Sequence, residues 1–370
     1  MSKTNRINSL VGLKVLALAC IYCLHSGIWP RFGSSWEFGW GVDVFFLASG
    51  FLIARNHYAD PNWGGWSVGL KYVYGKLLTI WPLHFVAFCI ALPASLFGSR
   101  VVLDWSYVWK ACYNLLLLQA WSSPSRELAY SFNGPSWFLS ALLFCYLLAP
   151  ALLAGMRCVR RPVALLVAVC LVRAFIWQGQ LKYNLFAMDV YTSPILRLCD
   201  FACAMSAYPV WIACKRTLGR MSVKFVWVVG FALELMAIIT LVCFAYGSIH
   251  IRATHWVVFI DLLCILILAL EIGPFSRVLG AVPFRLIGAV ELEIYIFHGA
   301  ILKGAWNHLH FIKDSFLVFE TLNLFLIVAC ACVWNLYLRI PVARVCDRMV
   351  RRFYSAIKSE YARFRNYEQS

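Results

Sequence analysis

The sequence predicts an all-α fold: a polytopic integral membrane bundle of about ten transmembrane helices, with both termini cytoplasmic. Three observations predict it. The chain is 62% hydrophobic and only 14% charged, with a mean hydropathy of +0.74, far from the composition of a soluble domain. Apolar runs recur along almost its whole length, at 10–29, 39–55, 77–97, 136–155, 162–178, 191–213, 224–246, 255–272, 284–302 and 316–338. Each suits one crossing as a helix, because lipid offers backbone groups no partner outside the segment. None alternates apolar with polar residues as a barrel strand would. The third observation is where the charge lies. Of 33 Lys and Arg residues, 22 fall in segments this topology puts inside and eight in outer loops. Inverting the chain reverses the bias that the positive-inside rule asks for.

This reading places the protein in a plasma or inner membrane, in contact with its lipid. Residues 1–340 form a single transmembrane domain, and 341–370 a basic cytoplasmic tail. The net charge of +16 serves topology and anionic headgroups, or docks a polyphosphate ligand on the cytoplasmic face. Nothing in the chain resembles a nucleic-acid-binding module, which excludes that class of partner.

The first run, LVGLKVLALACIYCLHSGIW, carries Lys14 and His25 inside an apolar segment. Eleven helical residues turn through roughly 1,100°, so the two lie on one face about 16 Å apart along the axis. Ionisable groups in such a segment are costly and are functional candidates by default. The run ends near Trp29-Pro30, with no small-residue cleavage site before it, as in a retained helix rather than a removed signal. Cys20-x-x-Cys23 and Cys330-x-Cys332 lie in spanning runs without companion ligands. The 15 cysteines read as small apolar residues, and no metal is expected.

The second run, WGVDVFFLASGFLIARN, brings Asp43 in at the depth of His25, and Gly41 and Gly50 favour close packing on the first helix. The inner segment from Arg55 to Lys76 reads as a loop with a turn at Asn62-Trp63-Gly64-Gly65-Trp66. Lys76 then meets the cytoplasmic surface, and Pro82 starts or kinks the third span. In the long outer segment, YVWKACYNLLLLQAW is too short and charged for an ordinary crossing and suits an interfacial or re-entrant helix. Asn133-Gly134-Pro135-Ser136-Trp137-Phe138 opens the fourth helix with a proline near its first turn. Helices five to eight bury Arg173, Arg197, Asp200, Glu234 and Asp261, some of which must pair with each other. The ninth, FRLIGAVELEIYIFHGAILK, reads as one span carrying Glu291, Glu293, Tyr295 and His298, the last again near the level of His25.

Four of these motifs together resemble one family, the acyltransferase-three family of integral membrane O-acyltransferases. Lys14-x10-His25 resembles its Arg/Lys-x10-His signature. The stretch Gly41-Val42-Asp43-Val44-Phe45-Phe46-Leu47-Ala48-Ser49-Gly50-Phe51-Leu52-Ile53 resembles its GVDxFFxxSGFLI block. Ile287 to His298 is similar to its late motif G-x-x-S-x-x-x-Y-x-x-H, with Glu291 in place of the serine. Asn133-x-Pro135-x-Trp137-Phe138-Leu139 is similar to its fourth-helix motif. The family's paired arginines before the third-helix proline read Lys76 and Thr79 here, and the Ser-Val-Glu-Glu variant of helix four is absent.

The resemblance implies transfer of an acyl group, commonly acetyl from acetyl-CoA, to a hydroxyl of a surface polysaccharide or lipid-linked glycan. Within it, His25 is the expected catalytic residue, as general base or transient acyl carrier, and both roles fit. Asp43, at the same depth, is its expected partner. Lys14 and Lys76 are the expected contacts for the anionic acyl-CoA donor, although Lys14 can equally snorkel to headgroups. Asp43 can equally cap its helix. His298, Glu291, Tyr295, Trp137 and Arg197 form the candidate acceptor site, although His298 can equally bond a neighbouring helix, Arg197 can equally belong to an internal polar network, and Tyr295 and Trp137 read first as packing residues. The rival class is a transporter or flippase for a lipid-linked sugar, with His25 and Asp43 as a proton relay. The sequence lacks the inverted repeat such proteins carry.

Overall fold

The computed structural model describes residues 6–26, 28, 40–97, 105–121, 126–245, 256–308 and 315–368. The described residues are helical, without a strand. Helices α1 (Asn8–Ser26), α2 (Trp40–His57) and α3 (Gly65–Phe97) come first, followed by the short α4 (Trp105–Leu115) and α5 (Arg126–Ala129). The middle of the chain forms α6 (Trp137–Arg157), α7 (Pro162–Tyr183), α8 (Pro194–Leu218), α9 (Val223–Ala245) and α10 (Val257–Ala269). Two single turns, α11 (Pro274–Leu279) and α12 (Val282–Ile287), lead into α13 (Glu291–His308), α14 (Phe316–Val333) and α15 (Arg339–Glu368).

Among the described residues, seven helices are long and apolar enough to cross a membrane: α1, α3, α6, α7, α8, α9 and the continuous run of α14 into α15. The chain is therefore an all-α, multi-pass membrane protein. The other three expected spans correspond to α2, α10 and α13, which are shorter or carry charge. α8 is the most central, with 72% of its apolar window buried, whereas only 11% of that of α7 is buried, leaving α7 an apolar outer face.

Three boundaries depart from the sequence expectation. α3 begins at Gly65, so most of the expected inner loop is helix, and Pro82 lies within α3 rather than starting it. The reason is tertiary: the added turns pack on α6, where Tyr72 stacks edge-on against Tyr146, and on α15, where Tyr74 donates to Asp347 at 2.7 Å. The expected ninth span is also broken, since α12 stops at Ile287 and α13 starts at Glu291. At the break, a Cβ on Gly288 would overlap the Val11 side chain. The break puts Glu291 and Glu293 in the first turn of α13, where unpaired N–H groups favour negative charge. The third departure is the tail, which continues α14 through a π-helical turn at Trp334–Leu338 instead of starting a separate segment. The expected end of the first span at Trp29-Pro30 lies outside the described residues.

Small residues set the closest approaches. A Cβ on Gly41 would sit 2.8 Å from the Ala17 carbonyl oxygen, which packs α2 on α1 as expected. A Cβ on Gly50 would overlap the Phe201 carbonyl, so Gly50 serves α8 instead.

The buried charges pair across these contacts. Arg173 donates to Asp200 at 2.8 Å, and Arg197 bonds Asp200 at 3.1 Å and also pairs with Asp43. Two guanidinium groups thus neutralise two carboxylates within the bundle. Glu234 accepts the N–H groups of Gly273 and Ser276, both at 2.9 Å, at the start of α11. Asp261 is different. It is 1% exposed, and neither carboxylate oxygen has a partner among the described residues. An unsatisfied buried polar group carries its full desolvation cost, so Asp261→Leu is expected to stabilise the protein by roughly 1–3 kcal/mol. A raised thermal midpoint in detergent checks this.

Candidate active site

Two parallel helices, α1 and α13, are bridged twice. Lys14 pairs with Glu291 near one end. Near the other, His25 Nδ1 lies 2.8 Å from His298 Nε2, with the rings stacked 11° from parallel. The second ring is anchored: His298 Nδ1 lies 2.6 Å from the Tyr295 carbonyl oxygen, and His298 is 0% exposed.

This chain of contacts assigns the ring protons. A carbonyl only accepts, so His298 Nδ1–H donates to Tyr295 O. No carboxylate bonds to either ring among the described residues, and an unpaired imidazolium at a fully buried site is costly. Neutral His298 therefore presents a bare Nε2, which accepts from His25 Nδ1–H. His25 is left with its lone pair on Nε2, the arrangement a proton acceptor or nucleophile needs.

The α13 segment is held by the turn before α6. Tyr295 donates its hydroxyl to the Pro135 carbonyl at 3.1 Å, and Asn133 Nδ2 donates to Ile296 O at 3.0 Å. A Cβ on Gly299 would sit 2.5 Å from Pro135 Cδ and 2.6 Å from Asn133 Oδ1, so the side chains of Asn133 and Pro135 rest directly on the α13 backbone. The Asn-x-Pro and late-helix motifs therefore act together, as the base plate for His298.

His25 is exposed to a cavity of about 560 Å³. Trp137, Trp177, Tyr130, Tyr191 and Tyr295 supply aromatic walls, and Arg126 and Asp189 supply a polar edge. Arg126 Nε donates to Asp189 at 2.7 Å, while the other Asp189 oxygen accepts the N–H groups of Tyr191 and Thr192 at 3.0 and 2.9 Å. Burial raises the Tyr130 phenol above its ordinary value, so it enters the cavity as a neutral hydroxyl. Flat rings with a few fixed donors and acceptors suit a ligand with apolar ring faces and several hydroxyls.

A second cavity, of about 300 Å³, lies at the other end of α1, lined by Arg6, Lys14, Arg55 and Asn56 among apolar residues. It shares no lining residue with the first. Lys76 stands 5.3 Å from the ring centroids of both Tyr72 and Tyr146 and within electrostatic reach of Lys14 and Arg339. Cations thus gather at one end of α1 and the histidine pair at the other.

The structure brings His25, His298, Tyr295 and Trp137 together and sets Lys14 and Lys76 apart from them. Two expected placements are corrected. Asp43 does not orient His25: its carboxylate is held by Arg197, and the polar neighbour of His25 is His298. Glu291 sits beside Lys14 rather than with the aromatic cavity. Arg197 lies beneath the cavity, 4.8 Å from the Tyr191 ring centroid and 5.8 Å from that of Trp137, and donates Nε–H to Tyr191 O at 2.8 Å. Sequence reasoning missed Arg126, Asp189, Tyr130, Tyr191 and Trp177. They come from separate segments with no common spacing, so no local signal marks them. Among the described residues no group of three or more His, Cys, Asp or Glu side chains gathers as a metal site.

A family model described as an acyltransferase domain, Acyl_transf_3, matches residues 7–343. No curated protein and no solved structure matches the chain. The matched region takes in α1 and α13, with both bridges between them, and nearly all of the bundle around them. The chain belongs to the acyltransferase-three family and is a membrane acyltransferase.

Proposed function

We propose that the protein moves an acyl group, in the first place acetyl, from cytoplasmic acyl-CoA to a hydroxyl of an extracytoplasmic or lipid-linked carbohydrate. The observation that carries the reading is the His25–His298 contact at the edge of an aromatic cavity, with cations gathered at the opposite end of α1. His25 Nε2 takes the proton of the acceptor hydroxyl as its oxygen attacks the thioester carbonyl. The C–S bond then breaks, and the departing CoA thiolate recovers the proton from His25. His298 supports the transient positive charge by accepting from His25 Nδ1–H throughout. The rings of Trp137, Trp177, Tyr130 and Tyr191 stack on the sugar, and the Arg126–Asp189 pair meets its hydroxyls. Lys14, Lys76, Arg6 and Arg55 meet the donor phosphates on the cytoplasmic side, the side that the distribution of Lys and Arg assigns to them.

The transport reading lacks its central link, because His25 and Asp43 are held by different partners. The test is sided. Proteoliposomes receive labelled acetyl-CoA on the face bearing the N-terminus and a lipid-linked glycan from the producing strain. Label on the glycan supports the reading. Glycan crossing the bilayer unlabelled contradicts it.

A further inference from the structure

Lys14 borders the basic cavity, yet its ammonium is already taken by Glu291. That carboxylate is only half satisfied: its second oxygen, Oε2, is buried without a partner among the described residues. Its neighbour on α13 fares better, since Glu293 accepts from Asn335 at 3.0 Å and faces Arg339 at 3.8 Å. Around the pair, Arg6, Arg55, Lys76 and Arg339 outnumber these two acids. The surplus of cations around Lys14 is what an incoming anion would use.

We propose that Lys14 is an anion site which Glu291 occupies in the resting protein as a tethered competitor, and that a phosphate of acyl-CoA displaces it. The inference rests on the acyl-CoA reading above. Once displaced, the Glu291 carboxylate stays at the N-terminus of α13, where unpaired N–H groups and the positive helix end accommodate it. The exchange therefore trades one carboxylate for one phosphate without stranding a charge. When the carboxylate returns to Lys14 after transfer, it helps expel CoA. Glu291 thereby weakens ground-state donor binding and hastens product release.

The test titrates free CoA by calorimetry into the full chain in nanodiscs, as wild type, Glu291→Gln and Glu291→Ser. The same three are made with Lys14→Met. Each Glu291 variant is expected to bind CoA about tenfold tighter than wild type, and the gain is expected to vanish in the Lys14→Met background. Unchanged or weaker CoA binding in both variants overturns the inference, as does an equal gain without Lys14. Failure of the wild type and both variants to bind CoA overturns the donor reading itself, and the competitor role with it.

Discussion

His25→Gln is expected to lower acyl transfer about 10²–10⁴-fold while the protein still inserts and folds. Glutamine keeps a donor that can reach His298 Nε2 but has no basic nitrogen, so it separates loss of the base from loss of the contact. The effect falls on turnover rather than on donor affinity, because His25 lies at the opposite end of α1 from Lys14 and Arg6. His298→Ala is expected to be milder, since it leaves His25 in place with a free choice of tautomer. Steady-state kinetics with acetyl-CoA varied at saturating acceptor check both, with unfolding midpoints to confirm intact folds.

The second large effect is structural. Arg197→Met is expected to destabilise the protein by about 3–5 kcal/mol, the cost of removing one partner from a buried ionic group. Asp43 would lose its guanidinium, and Asp200 would keep only Arg173. The Tyr191 carbonyl would lose its donor as well, which loosens one wall of the aromatic cavity. Replacing Asp43 by Leu in the same protein is expected to recover part of the loss, because the stranded carboxylate is then gone. Thermal unfolding of the single and double variants in detergent checks the pair.

The all-α, multi-pass architecture and the Lys14–His25 alignment are legible in the sequence because they depend only on helix length and period. What binds each polar group is not, because it depends on rotation about helix axes that packing decides. Asp43 illustrates this: its depth beside His25 follows from counting residues, but Gly41 against α1 and Gly50 against α8 orient α2 so that the carboxylate meets Arg197. His298 has the same history. Its level is readable, yet its bond to His25 joins positions 273 residues apart. The break before Glu291 is hidden by hydrophobicity that continues through Gly288-Ala289-Val290, and it shows only where α12 ends at Ile287 and α13 begins at Glu291. The early start of α3 is hidden for the opposite reason. Residues 65–76 look like a loop until Tyr72 and Tyr74 find partners on α6 and α15.

Catalysis by His25 as the base requires its ring proton on Nδ1 and none on Nε2. Nitrogen-15 NMR of the histidine-labelled protein in nanodiscs at neutral pH, with His25 assigned by its absence from His25→Gln, reads this directly. The expected spectrum shows His25 as the Nδ1–H tautomer, shifting toward the mixture of a free imidazole in His298→Ala. A His25 signal with the proton on Nε2 in the wild type would contradict the assignment of the ring as the base.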